Sequence, residues 1–368
     1  MKRRLFTLSI FFFISLLSLA QDNDPIIKTD TLNVKKKVQV IGIPILYYTP
    51  ETSLGFGAGA QFFLANQRNI YNSRQSNILV SFVYTLNKQY IIEAYPQIYF
   101  QFGNWMLDGV FKYKLYPNTF WGIGNETPNS NKEQYTMESL EFYGAFLKRL
   151  PPSMNFGLEY RYENFKILEK KNGGLLDTAG IVGANGAVTS GIYVVFNLDD
   201  RDNVFSATKG NFMQIKAGFS SRVLGSSSSF NKFVIDLRKY TTWIKNHVIA
   251  AQIYLEDNYG NVPFQDMAWI GGNMRNRGYF KGRYIDNHML SLQIENRWHF
   301  MERWILAAFI STGEVSKLPW DFFHDLKVSY GGGLRFQIIK SKETLLRFDV
   351  GFDEAFQPGF YFSVNEAF

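Results

Sequence analysis

The 368-residue chain has no cysteine and only four histidines. The first absence removes disulfide frameworks, thiolate metal sites and lipidated cysteines from consideration. The second leaves His247, His288, His299 and His324 as the only imidazole bases, and no serine nucleophile elbow accompanies any of them. A hydrolase is therefore the weakest reading, and neither a metal nor an organic cofactor is expected. Strong charge is missing too. The formal net charge of +7 falls to about +4 once Lys2, Arg3 and Arg4 are set aside. That scattered surplus gives no basic stripe of the kind that holds nucleic acid.

Long apolar runs are confined to the start. In "MKRRLFTLSIFFFISLLSLAQ" a basic cluster precedes an almost unbroken apolar stretch from Leu5 to Leu19, followed by Ser18-Leu19-Ala20 at a small-residue cleavage site. The stretch falls short of the roughly 20 residues of a spanning helix, so residues 1–20 read as a cleaved signal peptide. Residues 21–38, polar and interrupted by Pro25, read as a flexible periplasmic tether.

What the chain has instead is aromatic residues, 17% of the total, at a mean hydropathy of only −0.15. Alternation reconciles the two. In "HMLSLQIENRWHF", Leu290, Leu292, Ile294 and Trp298 share one parity, while Ser291, Gln293, Glu295, Arg297 and His299 share the other. Val328, Tyr330, Leu334, Phe336 and Ile338 alternate in the same way with Lys327, Ser329, Arg335 and Gln337. So do Leu346, Phe348, Val350 and Phe352 with Arg347 and Asp349. Period two gives a strand one apolar and one polar face. A soluble sandwich also alternates. However, strands of about 10 residues, aromatics at strand ends, and connections that are short and long in turn favour a membrane barrel. The prediction is an all-β fold: a transmembrane antiparallel β-barrel of about 16 strands over residues 39–368. Its long connections span 117–132, 169–185, 259–286 and 313–325.

Several stretches then resemble the barrel of the BamA/TamA-type outer-membrane assembly proteins, the bacterial surface antigen family. They are "GIPILYYTPETSLGFGAG", "YPNTFWGIGNET", "LDDRDNVFSATKGNFMQIKAGF", "GGNMRNRGYFKGR", "QIENRWHF", "AFISTGEV", "YGGGLRF", "LLRFDVGF" and the closing "GFYFSVNEAF". The likeness covers residues 39–368 with its motifs in family order. It implies an outer-membrane location and a sixth external loop folded into the lumen. That loop carries the motif Arg277-Gly278-Tyr279, and its arginine pairs with acids on the wall. Glu295 stands at the matching wall position and on the polar parity. The family's second carboxylate falls in "FISTG", where this chain has Ser311, so the lock rests on Glu295 alone or on Asp349 from a neighbouring strand.

The resemblance also makes "FYFSVNEAF" both a lipid-facing strand and an assembly signal. Phe360, Phe362, Val364 and Phe368 share one parity and face a first strand carrying Gly42, Ile43 and Pro44. Proline donates no ladder hydrogen bond, so this lateral seam is the expected weak point. A seam that opens offers an edge to an incoming strand. The implied partners are outer-membrane lipid and client outer-membrane proteins. Residues 21–38 cannot hold one of the family's polypeptide-transport domains, so either a separate periplasmic partner supplies that role or the barrel works alone on lipid packing. The alternative function is a passive structural barrel or plugged channel.

The turn "DDRDNVFSATKG" is rich in acids, but without a calcium-loop pattern it reads as an ion-paired turn.

Overall fold

The computed structural model describes residues 38–64, 76–339 and 344–368. The predicted signal peptide, and the tether up to residue 37, lie outside these residues. The wall begins with β1 (Gln39–Thr49), β2 (Ser53–Phe63), β3 (Asn77–Thr85), β4 (Tyr90–Phe100), β5 (Trp105–Phe120) and β6 (Glu133–Leu150). It continues through β7 (Met154–Lys170), a helical turn α1 (Leu175–Thr178), β8 (Gly186–Asp199), β9 (Gly210–Ser220), β10 (Phe230–Ile244) and β11 (His247–Gly260). A small hairpin of β12 (Ala268–Ile270) and β13 (Tyr284–Asp286) then interrupts it. The wall resumes with β14 (His288–Met301), β15 (Trp304–Ser316), β16 (Lys327–Ile339), β17 (Thr344–Phe352) and β18 (Pro358–Val364). Sixteen strands, all but β12 and β13, form a closed antiparallel barrel in which β1 meets β18.

Burial shows which face of each strand meets what. On β14, Ile294 is 53% exposed and its neighbour Glu295 is fully buried. Phe82, Phe142, Phe146, Leu158, Val194, Leu306, Ile310 and Phe348 are likewise exposed on their strands. A protein folded for water would bury these side chains; one folded for lipid presents them outward. The opposite parity carries ion pairs: Lys114–Glu141 at 2.7 Å, Lys216–Glu159 at 2.8 Å, Lys232–Glu256 at 2.7 Å and Arg238–Asp236 at 2.6 Å. Rings gather near the tight-turn ends of the strands. His247 stacks on Trp298 at 5.6 Å, Trp304 meets Phe336 at 4.8 Å, and Trp105 stacks on Phe146 at 4.8 Å. Such belts are favoured where an amphipathic ring spans the lipid–water boundary.

Pairing is uneven around the barrel. The β5–β6 register runs unbroken from Trp105↔Lys148 to Phe120↔Glu133. Among the described residues, the β1–β18 register contains one pair, Tyr48↔Phe362. Beyond Val364 the chain leaves the wall: Asn365 has φ +63°, and Glu366 N donates to Phe205 O at 3.4 Å. Phe368 is therefore not a seam residue, contrary to its sequence parity. A strand's alternation ends with the strand, and the ring is buried with Ala207, Tyr240, Ala250 and Ala367.

Candidate functional site

The long connection between β11 and β14 rises through the β12–β13 hairpin and carries the segment 271–283 between its two strands. Three consecutive residues make its tip. Asn276 takes a left-handed conformation (φ +48°), which asparagine tolerates better than most residues. Its carbonyl accepts Tyr279 N at 3.2 Å, and its Oδ1 accepts Ser291 Oγ at 2.7 Å. Gly278 has φ +125°, and a Cβ there would stand 2.6 Å from the carbonyl of Phe352. Across the contact, a Cβ on Gly351 would stand 2.6 Å from the carbonyl of Arg277. The tip thus seats backbone against backbone on β17, an approach only glycine permits on both sides.

That seating delivers the guanidinium of Arg277 to two carboxylates. Nη2 donates to Glu295 Oε2 at 2.5 Å, and Nη1 donates to Asp349 Oδ2 at 2.6 Å. The group also lies 3.6 Å from the centroid of the Phe309 ring, within the range of a cation–π contact. All three charged side chains are essentially inaccessible. Breaking a buried pair of this kind by removing one partner costs about 3–5 kcal/mol.

The pair belongs to a larger network. Arg297 Nε donates to Glu295 Oε1 at 2.7 Å, and Arg335 binds both acids, Asp349 through Nη1 and Glu295 through Nη2 at 3.4 Å. Arg335 Nε also donates to Glu366 Oε2 at 3.0 Å, and Arg297 Nη2 to Phe368 O at 3.0 Å. Arg347 Nη2 donates to Asn273 O at 3.1 Å, adding a second tie to the loop. Four buried arginines and three buried carboxylates therefore link the loop tip, β14, β16, β17 and the segment after β18.

Ser311 stands apart from this set. Its Oγ bonds Ser329 Oγ at 2.8 Å, and its described contacts include none to Arg277. Asp349, two strands along, meets the guanidinium instead. Tyr279 donates its hydroxyl to Val328 O at 3.1 Å and packs with Ala268, Ile270, Met289 and Val315.

Further out, Gly124 N donates to Ile285 O at 2.8 Å, and Arg283 Nη2 to Thr127 O at 2.7 Å. Phe120, Tyr135, Leu176, Phe264 and Ile285 form one apolar cluster beside these bonds. The carboxylate of Glu133 accepts the Leu175 and Leu176 amides, each at 2.8 Å, at the start of α1. Three long connections are thereby joined at one end of the barrel.

The seam residues divide. Gly42, Ile43 and Pro44 pair with Ala60, Gly59 and Ala58 of β2, and none has a recorded partner in β18. Phe360 and Val364 are exposed, and Phe362 carries the single seam pair. Counting on from that pair sets Val364 opposite Leu46. Two further residues stand at the seam, Glu51 in the β1–β2 turn and Tyr361 on β18, both buried. Tyr361 lies on the inward parity of β18, which was a usable signal; nothing around Glu51 marked it.

At the other end, the turn 200–209 is organised by Asp202. Partial burial raises the pKa of its carboxyl, but hydrogen bonds from the Thr208 hydroxyl and from the amides of Thr208, Lys209 and Asn203 outweigh this and hold it below the ordinary value. Asp199 pairs with Arg201 at 2.8 Å. Among the described residues, no group of three or more histidines and carboxylates is arranged to hold a metal ion.

The profile of the Omp85 superfamily domain matches residues 56–368. No curated protein matches the chain by sequence. Among solved structures, the fold is similar to BamA from Haemophilus ducreyi lacking POTRA domains 1–3, with TM-score 0.63 at 14% identity, covering 90% of this chain and 70% of that one. It is also similar to CdiB from Acinetobacter baumannii (TM-score 0.56, 13% identity, 90% of this chain and 60% of that one). CdiB from Escherichia coli gives TM-score 0.60 at 12% identity, over 91% of this chain and 63% of that one. At these identities the likeness is one of fold.

Proposed function

The chain belongs to the Omp85 superfamily, and from that premise we propose that it is an outer-membrane barrel that assists insertion or translocation of other proteins at the β1–β18 seam. The observation that carries this reading is the uneven closure: one partner pair at the seam against an unbroken ladder at β5–β6. An antiparallel strand with an unpaired edge offers free N–H and C=O groups, and an incoming strand is held by satisfying them. Pro44 weakens this part of β1 as a partner for β18, because it has no N–H to give. The segment 271–283 serves in this reading as a loop folded into the lumen and locked by Arg277, keeping the barrel closed while no client is engaged. Client outer-membrane proteins and membrane lipid are its partners in this reading.

Depletion of the protein followed by quantitation of the outer-membrane proteome tests the proposal. Loss of folded barrel proteins is expected; unchanged levels of every other barrel would contradict it. The buried arginine network at the loop tip also supports a second reading, a channel plugged by the loop. That reading predicts planar-bilayer conductance that rises in Arg277→Ala.

A further inference from the structure

The loop tip reaches past its ion pair. Gly278 N donates to the hydroxyl of Tyr361 at 2.9 Å, and Tyr361 stands on β18. Three residues later, Lys281 N donates to Glu51 Oε1 at 2.6 Å, and Glu51 sits in the turn joining β1 to β2. Read along the loop, Arg277 touches β14 and β17, Gly278 touches β18, and Lys281 touches the far side of the seam. Five consecutive residues therefore cross the junction where, among the described residues, main-chain pairing is sparsest.

Glu51 is well placed to hold its end. Its own carbonyl accepts Asn87 Nδ2 at 2.9 Å and Gln89 Nε2 at 3.1 Å, which fixes the turn to the neighbouring β3–β4 connection. Tyr361 is fully buried, and its hydroxyl also lies 3.4 Å from Tyr279 O. Both side chains are acceptors aimed at backbone amides of the loop, so they recognise its path rather than its side chains.

We infer that Glu51 and Tyr361 are positioning residues that make the loop a clasp across the seam: one grips β18, the other the β1–β2 turn, and the barrel stays closed there through the loop. This inference rests on the proposal that the seam is the working part of the barrel. Undocking the loop then frees both seam strands in one event.

The absence of cysteine allows clean spin labelling. Nitroxides at Leu46→Cys and Val364→Cys, both exposed side chains on the two seam strands, report contact through spin–spin broadening in the folded, bilayer-embedded protein. The register partners Phe146 and Leu158, on β6 and β7, give a control pair. In Glu51→Ala/Tyr361→Phe the seam broadening is expected to fall, as two lost hydrogen bonds shift the open-to-closed ratio roughly tenfold or more. The control pair should not change. Glu51→Gln keeps an acceptor oxygen and should restore broadening when combined with native Tyr361. Tyr361→Phe alone removes one hydroxyl, leaves folding intact, and should give a partial loss.

Unchanged seam broadening in the double variant would overturn the clasp, and so would equal loss in the control pair. The readout does not depend on any client. If broadening responds but depletion leaves other barrels untouched, the clasp stands and the assembly reading fails.

Discussion

Two junctions of the same barrel are built by opposite means. Where β5 meets β6, sixteen-residue β5 is paired along its whole length, and the wall carries an unbroken ladder of its own. Where β1 meets β18, a seven-residue strand meets an eleven-residue one through a single pair among the described residues. Side-chain and loop contacts gather behind that junction: Arg277 on Glu295 and Asp349, Gly278 on Tyr361, Lys281 on Glu51. Main-chain ladders are cooperative and slow to part, whereas a docked loop can leave as a unit. On the proposed reading, the first junction is a wall and the second a gate.

The comparison can be broken most forcefully at Arg277. Arg277→Ala strips Glu295 and Asp349 of one cation each, and a loss of about 3–5 kcal/mol is the upper limit, since Arg297 and Arg335 stay beside the acids. Denaturant titration of the barrel in bilayers should show it, and Arg277→Lys should recover only part, lacking the two-pronged geometry. A lipid-face substitution on the paired side, Leu158→Arg, should cost about 2–4 kcal/mol if the residue lies near the bilayer midplane. Refolding yield into vesicles measures this, and a neutral outcome would contradict the inside-out assignment of β7.

Gly351→Ala tests the seat of the tip. Its Cβ would press on the Arg277 carbonyl, and overpacking of this order costs about 1–3 kcal/mol. Faster proteolysis within 271–283 is the expected sign, with the β5–β6 side unchanged. The smallest effect belongs to Asp202. Its folded pKa is depressed, so the order it gives the turn is present above the unfolded value of about 3.9 and is lost as pH falls through the lower folded value. Protease sensitivity of residues 200–209 should rise on that acid limb, and Asp202→Asn should flatten the dependence.

The strands were legible because a period of two survives any loop length. The three alternating stretches quoted from the sequence fall on β14, β16 and β17. The β12–β13 hairpin escaped notice, since three-residue strands carry no measurable period. Parity put Glu295 and Asp349 on the polar face of their strands, but it could not choose Asp349 over Ser311. That choice depends on where a loop 72 residues earlier comes to rest. The contacts of Glu51 and Tyr361 join residues 230 and 83 positions apart and exist only once the barrel closes. Phe368 misled because alternation was extended past Val364, where the backbone turns off the wall.

The central claim is that the seam must part for the protein to act. Cysteines at Tyr48 and Phe362, the one recorded pair across it, would lock it by a disulfide in a chain that has no other thiol. The account predicts that the oxidised protein fails to sustain folded levels of other outer-membrane barrels and that reduction restores them. Full activity with the disulfide intact would contradict it.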